Sequence, residues 1–256
     1  FIIGDSPFRL TPDSTSLNNW ATNVNKAVED NDQGLVTSNS FLGVFYPSGF
    51  TSDNFGNNIV VPASHMMLRT IALSDQVSFP WFAPAGTRRG GITNASSTGY
   101  INAEGEFVST ALNEGQRDTL YTNKVNPITF ITGAGLVNYG QKTRFAGTSS
   151  LDRINVSRLV IYLRSQLNKL ARPFVFEPND KITRDEIKAQ AESLLLELVG
   201  NRAIFDFLVV CDESNNTPTR IDRNELYLDI AIEPVKAVEF IYIPLRLKNT
   251  GEIAGL

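Results

Sequence analysis

The sequence predicts an α+β or α/β protein in which mixed β-sheets are flanked by helices. Three observations predict it. Two amphipathic helical patterns stand in the second half, three strand-like runs follow them, and the first half alternates short branched or aromatic runs with glycine- and proline-rich loops.

The first helix is the clearest element. Val156, Leu159, Val160, Leu163, Leu167 and Leu170 recur at i, i+3, i+4 and i+7, the period of a helix with one buried face. Pro173 ends it. Arg158, Ser165, Lys169 and Arg172 fall opposite that stripe, so Arg158, Lys169 and Arg172 are read as an exposed basic face. A second helix is expected from Thr183-Arg184-Asp185-Glu186, which has capping-box spacing. Its stripe is Ile187, Ala191, Leu194, Leu195 and Leu198, and Gly200 is its stop.

Strands follow. Ile204 to Cys211 is nearly continuously apolar, as in a strand covered on both faces. Leu226, Leu228, Ile230 and Ile232 alternate with Tyr227, Asp229, Ala231 and Glu233 up to Pro234. Ala237 to Leu247 carries Val238, Phe240 and Tyr242 on one face and Ile241, Ile243 and Leu245 on the other. A strand apolar on both faces needs a partner. The partner is either the 226–233 strand, through a turn at Pro234-Val235-Lys236, or another molecule.

In the first half, a helix is expected from Thr11-Pro12-Asp13 to about Asp32, with a thin stripe at Val24 and Val28. Phe41–Tyr46 and Ile59–Val61 read as short strands, with a polar loop over Ser48–Asn58 between them. Pro62 suits the first turn of a helix carrying Met66, Met67, Ile71 and Leu73 to about Asp75. From Phe79 to Gly91, two prolines and three glycines exclude regular structure, and the aromatics there read as pins on an adjoining surface. Glu106–Tyr121 reads as a helix, Ile128–Thr132 as a strand, and Thr143–Gly147 as a further β-like run. A change of composition near Asn123 to Asn126 divides the chain into two units, 1–122 and 123–256.

Composition excludes several classes. Of the 256 residues, 42% are hydrophobic and 20% charged, an ordinary balance for a globular protein. No apolar run approaches the roughly 18 to 20 residues that span a bilayer, so direct membrane insertion is not expected. A net charge of −4 does not suit a bulk nucleic-acid binder. The chain opens on Phe1-Ile2-Ile3-Gly4-Asp5, which reads as the end of a core strand and not as a signal peptide, so sequence is expected upstream. Cys211 is the single cysteine and reads as a small buried hydrophobe.

Chemistry is sparse. His65 is the single histidine, and its neighbour Ser64 would point about 100° away on a helix, which disfavours a nucleophile–base pair. One Cys and one His cannot build a zinc site within the chain. The carboxylates at Asp212-Glu213 and Asp222 to Glu225 lack EF-hand spacing. Gly133-Ala134-Gly135 follows a strand, but the next glycine is Gly140 and no helix follows to receive a pyrophosphate. No catalytic, metal-binding or cofactor-binding residue is therefore assigned. The Arg88-Arg89 pair between Gly86 and Gly90 is able to meet an anion, though such arginines more often pair with acidic partners.

Four segments in order carry a family resemblance. Pro80-Trp81-Phe82-Ala83-Pro84-Ala85-Gly86 with Arg89-Gly90-Gly91 resembles the "PAG…RGG" loop of tail sheath proteins from contractile-tailed phages, with Trp81, Phe82, Pro84 and Arg89 as its marked residues. Leu112–Tyr121 followed by Val125-Asn126-Pro127-Ile128 is similar to the family's approach to its C-terminal domain. Asp212–Pro218 with Ile221–Glu225, and then Glu233–Ile241, resemble its last loop and closing segment. The order and spacing agree over Ile59 to Leu247, with Gly140-Gln141-Lys142-Thr143 standing where the family has Gly-Ala-Arg-Thr. The family's N-terminal portion is not matched, and with it the arm that portion supplies to a neighbour.

The resemblance implies that residues 1–122 end a central outer sheath domain and that 123–256 form the α+β inner sheath domain with a terminal strand arm. It implies a structural subunit, not an enzyme, that uses no cofactor and polymerises helically around an inner tail tube. Contraction of that sheath drives the tube through the host envelope. The implied partners are neighbouring sheath subunits, the inner tube, baseplate and tail terminator proteins. The implied location is the virion tail, assembled in the host cytoplasm. Within it, Val238, Phe240, Ile241, Tyr242, Ile243 and Leu245 are expected to form an inter-subunit strand, and the face of Arg158, Lys169 and Arg172 is read either as a solvated helix face or as one that meets acidic groups on the inner tube. A bacterial contractile injection system or a phage-tail-like bacteriocin is the alternative, and an α/β hydrolase a distant one.

Overall fold

The computed structural model describes residues 1–22 and 38–243. The first half runs β1 (Ile2–Gly4), α1 (Ser14–Ala21), β2 (Leu42–Tyr46), β3 (Ser48–Ser52), β4 (Asn58–Val61), α2 (Ala63–Val77), α3 (Gly86–Arg89), β5 (Ser97–Ile101), β6 (Phe107–Ser109) and α4 (Glu114–Thr122). The second half runs β7 (Asn126–Ile131), β8 (Gly135–Asn138), α5 (Ile154–Ala171), α6 (Lys181–Gly200), β9 (Ile204–Val210), α7 (Pro218–Ile221) and β10 (Asp229–Pro234).

Two four-stranded sheets carry the first half together with β7 and β8. The mixed sheet has order β1-β2-β7-β8, with β1 and β7 parallel to β2 and β8 antiparallel to β7. Every residue of β2 is buried, as expected of a central strand covered on both faces. Alternate residues face opposite ways. Phe45 meets Met66, Met67 and Ile71 of α2 with Ile128, while Leu42, Val44 and Tyr46 meet Leu17, Leu120 and Val125. The second sheet, β4-β3-β5-β6, is antiparallel throughout, and Phe50 stacks on Phe107 at 4.6 Å.

A separate core holds the second half. Leu159 and Leu163 of α5, Ala191, Leu195 and Leu198 of α6, and Ile204 and Val209 of β9 pack together with Trp81. The two-stranded β9–β10 sheet closes this core from one side. Trp81 belongs to the first half, so the 79–91 segment stitches the two cores.

Several expectations are corrected. The polar stretch 48–58 is not a loop but a hairpin, because Asp53 accepts from the amides of Phe55 and Asn57 at 2.8 Å and closes the turn between β3 and β4. The helix expected from Glu106 starts at Glu114, where Asn113 and Gln116 form a reciprocal capping box; Phe107–Ser109 is strand. Segment 79–91 includes one helical turn, α3. Gly90 lets it close, since a Cβ there would lie 2.6 Å from the Asn138 carbonyl oxygen. Residues 143–147 form no strand, and β8 was not anticipated. The N-cap of α6 is Asp180, three residues before the expected cap; Asp180 accepts from the Thr183 amide, and Thr183 is buried. The expected continuation of the first helix beyond Thr22, with Val24 and Val28, lies outside the described residues. Across the position expected as a boundary, 122/123, β7 pairs with β2 inside one sheet.

Strand β9 is covered on one face only. Phe207 and Val209 turn to the core, and Phe205 and Leu208 are largely exposed. Its outer edge and that of β10 pair with no strand among the described residues.

Candidate functional site

After β10 the chain leaves its sheet. The Val235 amide donates to the Ala203 carbonyl at 3.0 Å, and Asn155 Nδ2 donates to the Val235 carbonyl at 3.4 Å. The tail then forms one wall of a cleft of about 730 Å³, whose other walls include Trp81, Phe82 and Arg89 of the 79–91 segment, Arg117 and Tyr121 of α4, and Gln141. It forms no strand there. Val238, Phe240, Ile241, Tyr242 and Ile243 are 67–88% exposed. Leu245 lies outside the described residues. The internal pairing with β10 is therefore not formed, since β10 pairs with β9 alone. Pro234 at the end of β10, beside a register shift, turns the chain away.

One tail side chain points inward. The side chain of Glu239 is 14% exposed. Its Oε1 accepts from Arg153 Nε at 2.5 Å and from Gln141 Nε2 at 3.1 Å, and its Oε2 accepts from Arg153 Nη2 at 3.1 Å. Arg153 also pairs with Asp152 at 3.0 Å. Burial, reinforced by the Glu239 charge, pushes the Tyr121 hydroxyl above the usual phenol range. Lys142 Nζ donates to the Tyr121 carbonyl at 2.8 Å and sits 4.0 Å from the Tyr121 ring centroid. Burial, helped by the Arg153 charge, pulls Lys142 down. Sequence reasoning missed this polar knot. Its one available signal was a carboxylate, Glu239, inside an otherwise apolar run.

The marked loop residues sit together. Trp81 is buried, with Nε1 donating to the Asn201 carbonyl at 3.0 Å; it stacks on Phe79 and meets the Tyr162 ring edge-on. Arg89 lies over the Phe82 ring at 4.7 Å and donates to the Ala83 carbonyl at 3.3 Å. Pro84 is buried, and its carbonyl accepts from Asn138 Nδ2 at 2.7 Å.

The basic face divides. Lys169 and Arg172 are exposed, but Arg158 is 9% exposed and ion-paired with Asp75 of α2. The wheel placed Arg158 outside because α5 has one apolar stripe. Its first turns are in fact enclosed all round, with Ser157 bonded to the Ser40 carbonyl and Asn155 to that of Val235. Replacing Arg158 with alanine is expected to cost about 1–3 kcal/mol, from the lost charged hydrogen bond and the vacated packing. Lys169→Ala and Arg172→Ala are expected to stay within about 0.5 kcal/mol. Urea titrations of the three variants check the contrast.

The remaining chemistry candidates are accounted for structurally. Ser64 donates to Asp5 at 2.8 Å, and His65 is exposed. Gly133 and Gly135, with φ of 85° and 79°, make the β7–β8 hairpin turn. Among the described residues no group of three His, Cys, Asp or Glu side chains is placed to hold a metal. Cys211 is 1% exposed, and burial raises its thiol above the ordinary range. Less thiolate then forms at any given pH, so alkylation of the native protein at pH 8 is expected to be slower than in urea by at least about tenfold. A thiol-titration time course reads this directly.

Residues 147–248 match the family model of the phage tail sheath C-terminal domain. The tail sheath protein of Vibrio phage KVP40 is 33% identical over 249 residues, and that of Enterobacteria phage T4 is 31% identical over 249 residues; each alignment covers 94% of this chain and 35% of the relative. The chain thus spans about a third of the length of these curated relatives. Among solved structures, the sheath complex of the extracellular contractile injection system PVC in its contracted state superposes with a TM-score of 0.73 at 20% identity, covering 96% of this chain and 63% of that one. The contracted helical sheath of the anti-feeding prophage gives 0.72 at 19% identity, covering 97% and 70%. These two likenesses establish the shared fold. Residues 147–248, which hold the second core, thus belong to the phage tail sheath C-terminal domain family, and nearly the whole chain is similar to phage tail sheath proteins.

Proposed function

We propose that this chain works within a structural subunit of a contractile phage tail sheath, which polymerises helically around an inner tube and shortens to drive the tube through the host envelope. The observation that carries this reading is a tail apolar on both faces and exposed in the single chain, beside a two-stranded sheet with unpaired edges. An extended segment of that kind joins a sheet edge through main-chain hydrogen bonds and gains specificity from alternating side chains. In an assembly, the tail of one copy adds to the β9–β10 sheet of the next. A strand joined to its own domain through a turn at Pro234 keeps copies linked while their rigid bodies rotate during contraction.

The partners proposed are other copies of the subunit, the inner tube, and baseplate and terminator proteins at the two ends, with the subunit in the virion tail after assembly in the host cytoplasm. The role is mechanical and not enzymatic. The phage setting is preferred over an injection machine because the curated phage relatives share 31–33% identity with this chain.

Lys169 and Arg172 are the remaining candidates for the tube-facing contact. Reversing both charges in the full-length subunit is expected to leave its melting temperature within about 2 °C and to hinder assembly on the tube. The wild-type contact is expected to weaken with added salt, because exposed charges more than ~8 Å apart are screened at physiological ionic strength. Electron microscopy of the full-length subunit mixed with its tube protein tests the whole reading. Sheathed tubes are expected, and a subunit that forms neither tubes nor rings under any condition refutes it.

A further inference from the structure

We propose that Glu239 is a latch that holds the tail folded back on its own subunit until a neighbouring copy takes it as a strand. The proposal rests on the strand-donation reading and adds to it how the unassembled tail is restrained.

Three observations carry it. From Val238 to Ile243, Glu239 is the one side chain that is not exposed, and its carboxylate is held through both oxygens by Arg153 and through one by Gln141. A two-point guanidinium–carboxylate contact is strong and geometrically selective. The rest of the held tail gains little, because its apolar side chains stay largely in water and its backbone joins no sheet. Beneath the tail, Gln141 Oε1 and Asn155 Oδ1 are buried without a hydrogen-bond partner, although both residues are about 4% exposed and line the cleft. Both amides are oriented by their own donor contacts, Gln141 to Glu239 and Asn155 to Val235.

The folded-back state is thus fixed at one point and unsatisfied around it. A buried acceptor without a donor is costly, and so is an apolar run left in water. A tail restrained in this way does not wander and pair with any exposed strand edge, the standing hazard for such a segment. It also leaves when a sheet edge offers a full row of main-chain bonds. The latch sets a threshold for assembly, and the population of free tails is set by the latch equilibrium.

Glu239→Gln in the full-length subunit keeps the shape of the side chain and removes its charge. Chymotryptic cleavage after Phe240 and Tyr242 is expected to accelerate on the order of fivefold, and tube-free polymerisation to start at a severalfold lower concentration. The charge-swapped double variant Glu239→Arg with Arg153→Glu is expected to return both readouts toward wild type, and it also guards against a folding defect in the single variant. Unchanged cleavage, slower polymerisation, or faster cleavage with unchanged polymerisation each overturns the latch. A subunit cut after Lys236 separates the two ideas. Normal polymerisation of the cut subunit removes strand donation and the latch together. An inert cut subunit, alongside a Glu239→Gln variant that behaves as wild type, removes the latch alone.

Discussion

Cutting the chain after Lys236 is expected to leave its melting temperature nearly unchanged and to abolish sheath formation by the equally cut full-length subunit. The structure makes the first half of this expectation quantitative. Had residues 237–247 formed an internal strand, each large side chain buried would contribute about 1.5 to 3 kcal/mol, and deletion would unfold a marginally stable protein. Instead Val238 and Phe240 to Ile243 are exposed, so the described part of the tail removes little apolar surface from water. What is lost is the Glu239 contact with Arg153 and Gln141, and Arg153 keeps its second partner, Asp152. A partly exposed ion pair is worth about 1 kcal/mol at most, which moves the melting temperature of a protein this size by about 2 to 4 °C. Assembly is expected to respond differently, because under the proposed strand donation every inter-subunit main-chain bond of that strand disappears at once. Calorimetry of the cut chain, paired with microscopy of the cut subunit, reads both halves. A fall of more than about 10 °C would place the tail in the core after all, and intact sheaths from the cut subunit would remove it from assembly.

What the sequence showed and what it hid follow from the range of the interactions concerned. The stripes of α5 and α6 were legible because each records a buried face at helical period, and Leu159, Leu163, Ile187, Ala191, Leu195 and Leu198 are all buried. The alternation of β10 was legible for the same reason. Strands β3, β5, β6 and β8 were not, since each has only three to five residues, with Ser, Thr, Gly or Asn among them, too few for an apolar alternation to stand out. Reading β9 as covered on both faces failed because its outer face carries Phe205 and Leu208 in the open. An apolar residue kept for a contact between molecules looks the same in one sequence as a residue kept for the core. The buried Arg158 illustrates the converse. A helical wheel sees one helix, while the burial of Arg158 comes from Asp75 on a different one. The motif loop was legible as a motif, but its role as a stitch between two cores rests on contacts of Trp81 with residues far along the chain.

That stitch carries the second large effect: replacing Trp81 with alanine is expected to cost about 3–5 kcal/mol and to lower the melting temperature by about 10 °C. The indole is 6% exposed, packs with Leu159, Leu163 and Leu198 in the second core, stacks 4.7 Å from Phe79 and meets the Tyr162 ring at 5.3 Å. Its Nε1–H also donates to the carbonyl of Asn201, the residue that caps the C-terminus of α6. Helix ends leave their last carbonyls without partners inside the helix, so this bond satisfies a group that would otherwise be stranded beside the core. Trp81→Phe separates the two contributions. It keeps most of the ring packing and leaves the Asn201 carbonyl unpaired, so a cost of about 1–3 kcal/mol is expected. Phe79→Ala serves as a comparison at the rim. Phe79 is 42% exposed, and its loss forfeits a stacking contact worth about 0.5–1.5 kcal/mol together with part of its burial. The expected order of destabilisation in chemical denaturation is therefore Trp81→Ala largest, with Trp81→Phe and Phe79→Ala both smaller. A Trp81→Ala cost below about 1 kcal/mol would show that the 79–91 segment rests on the second core without being part of it.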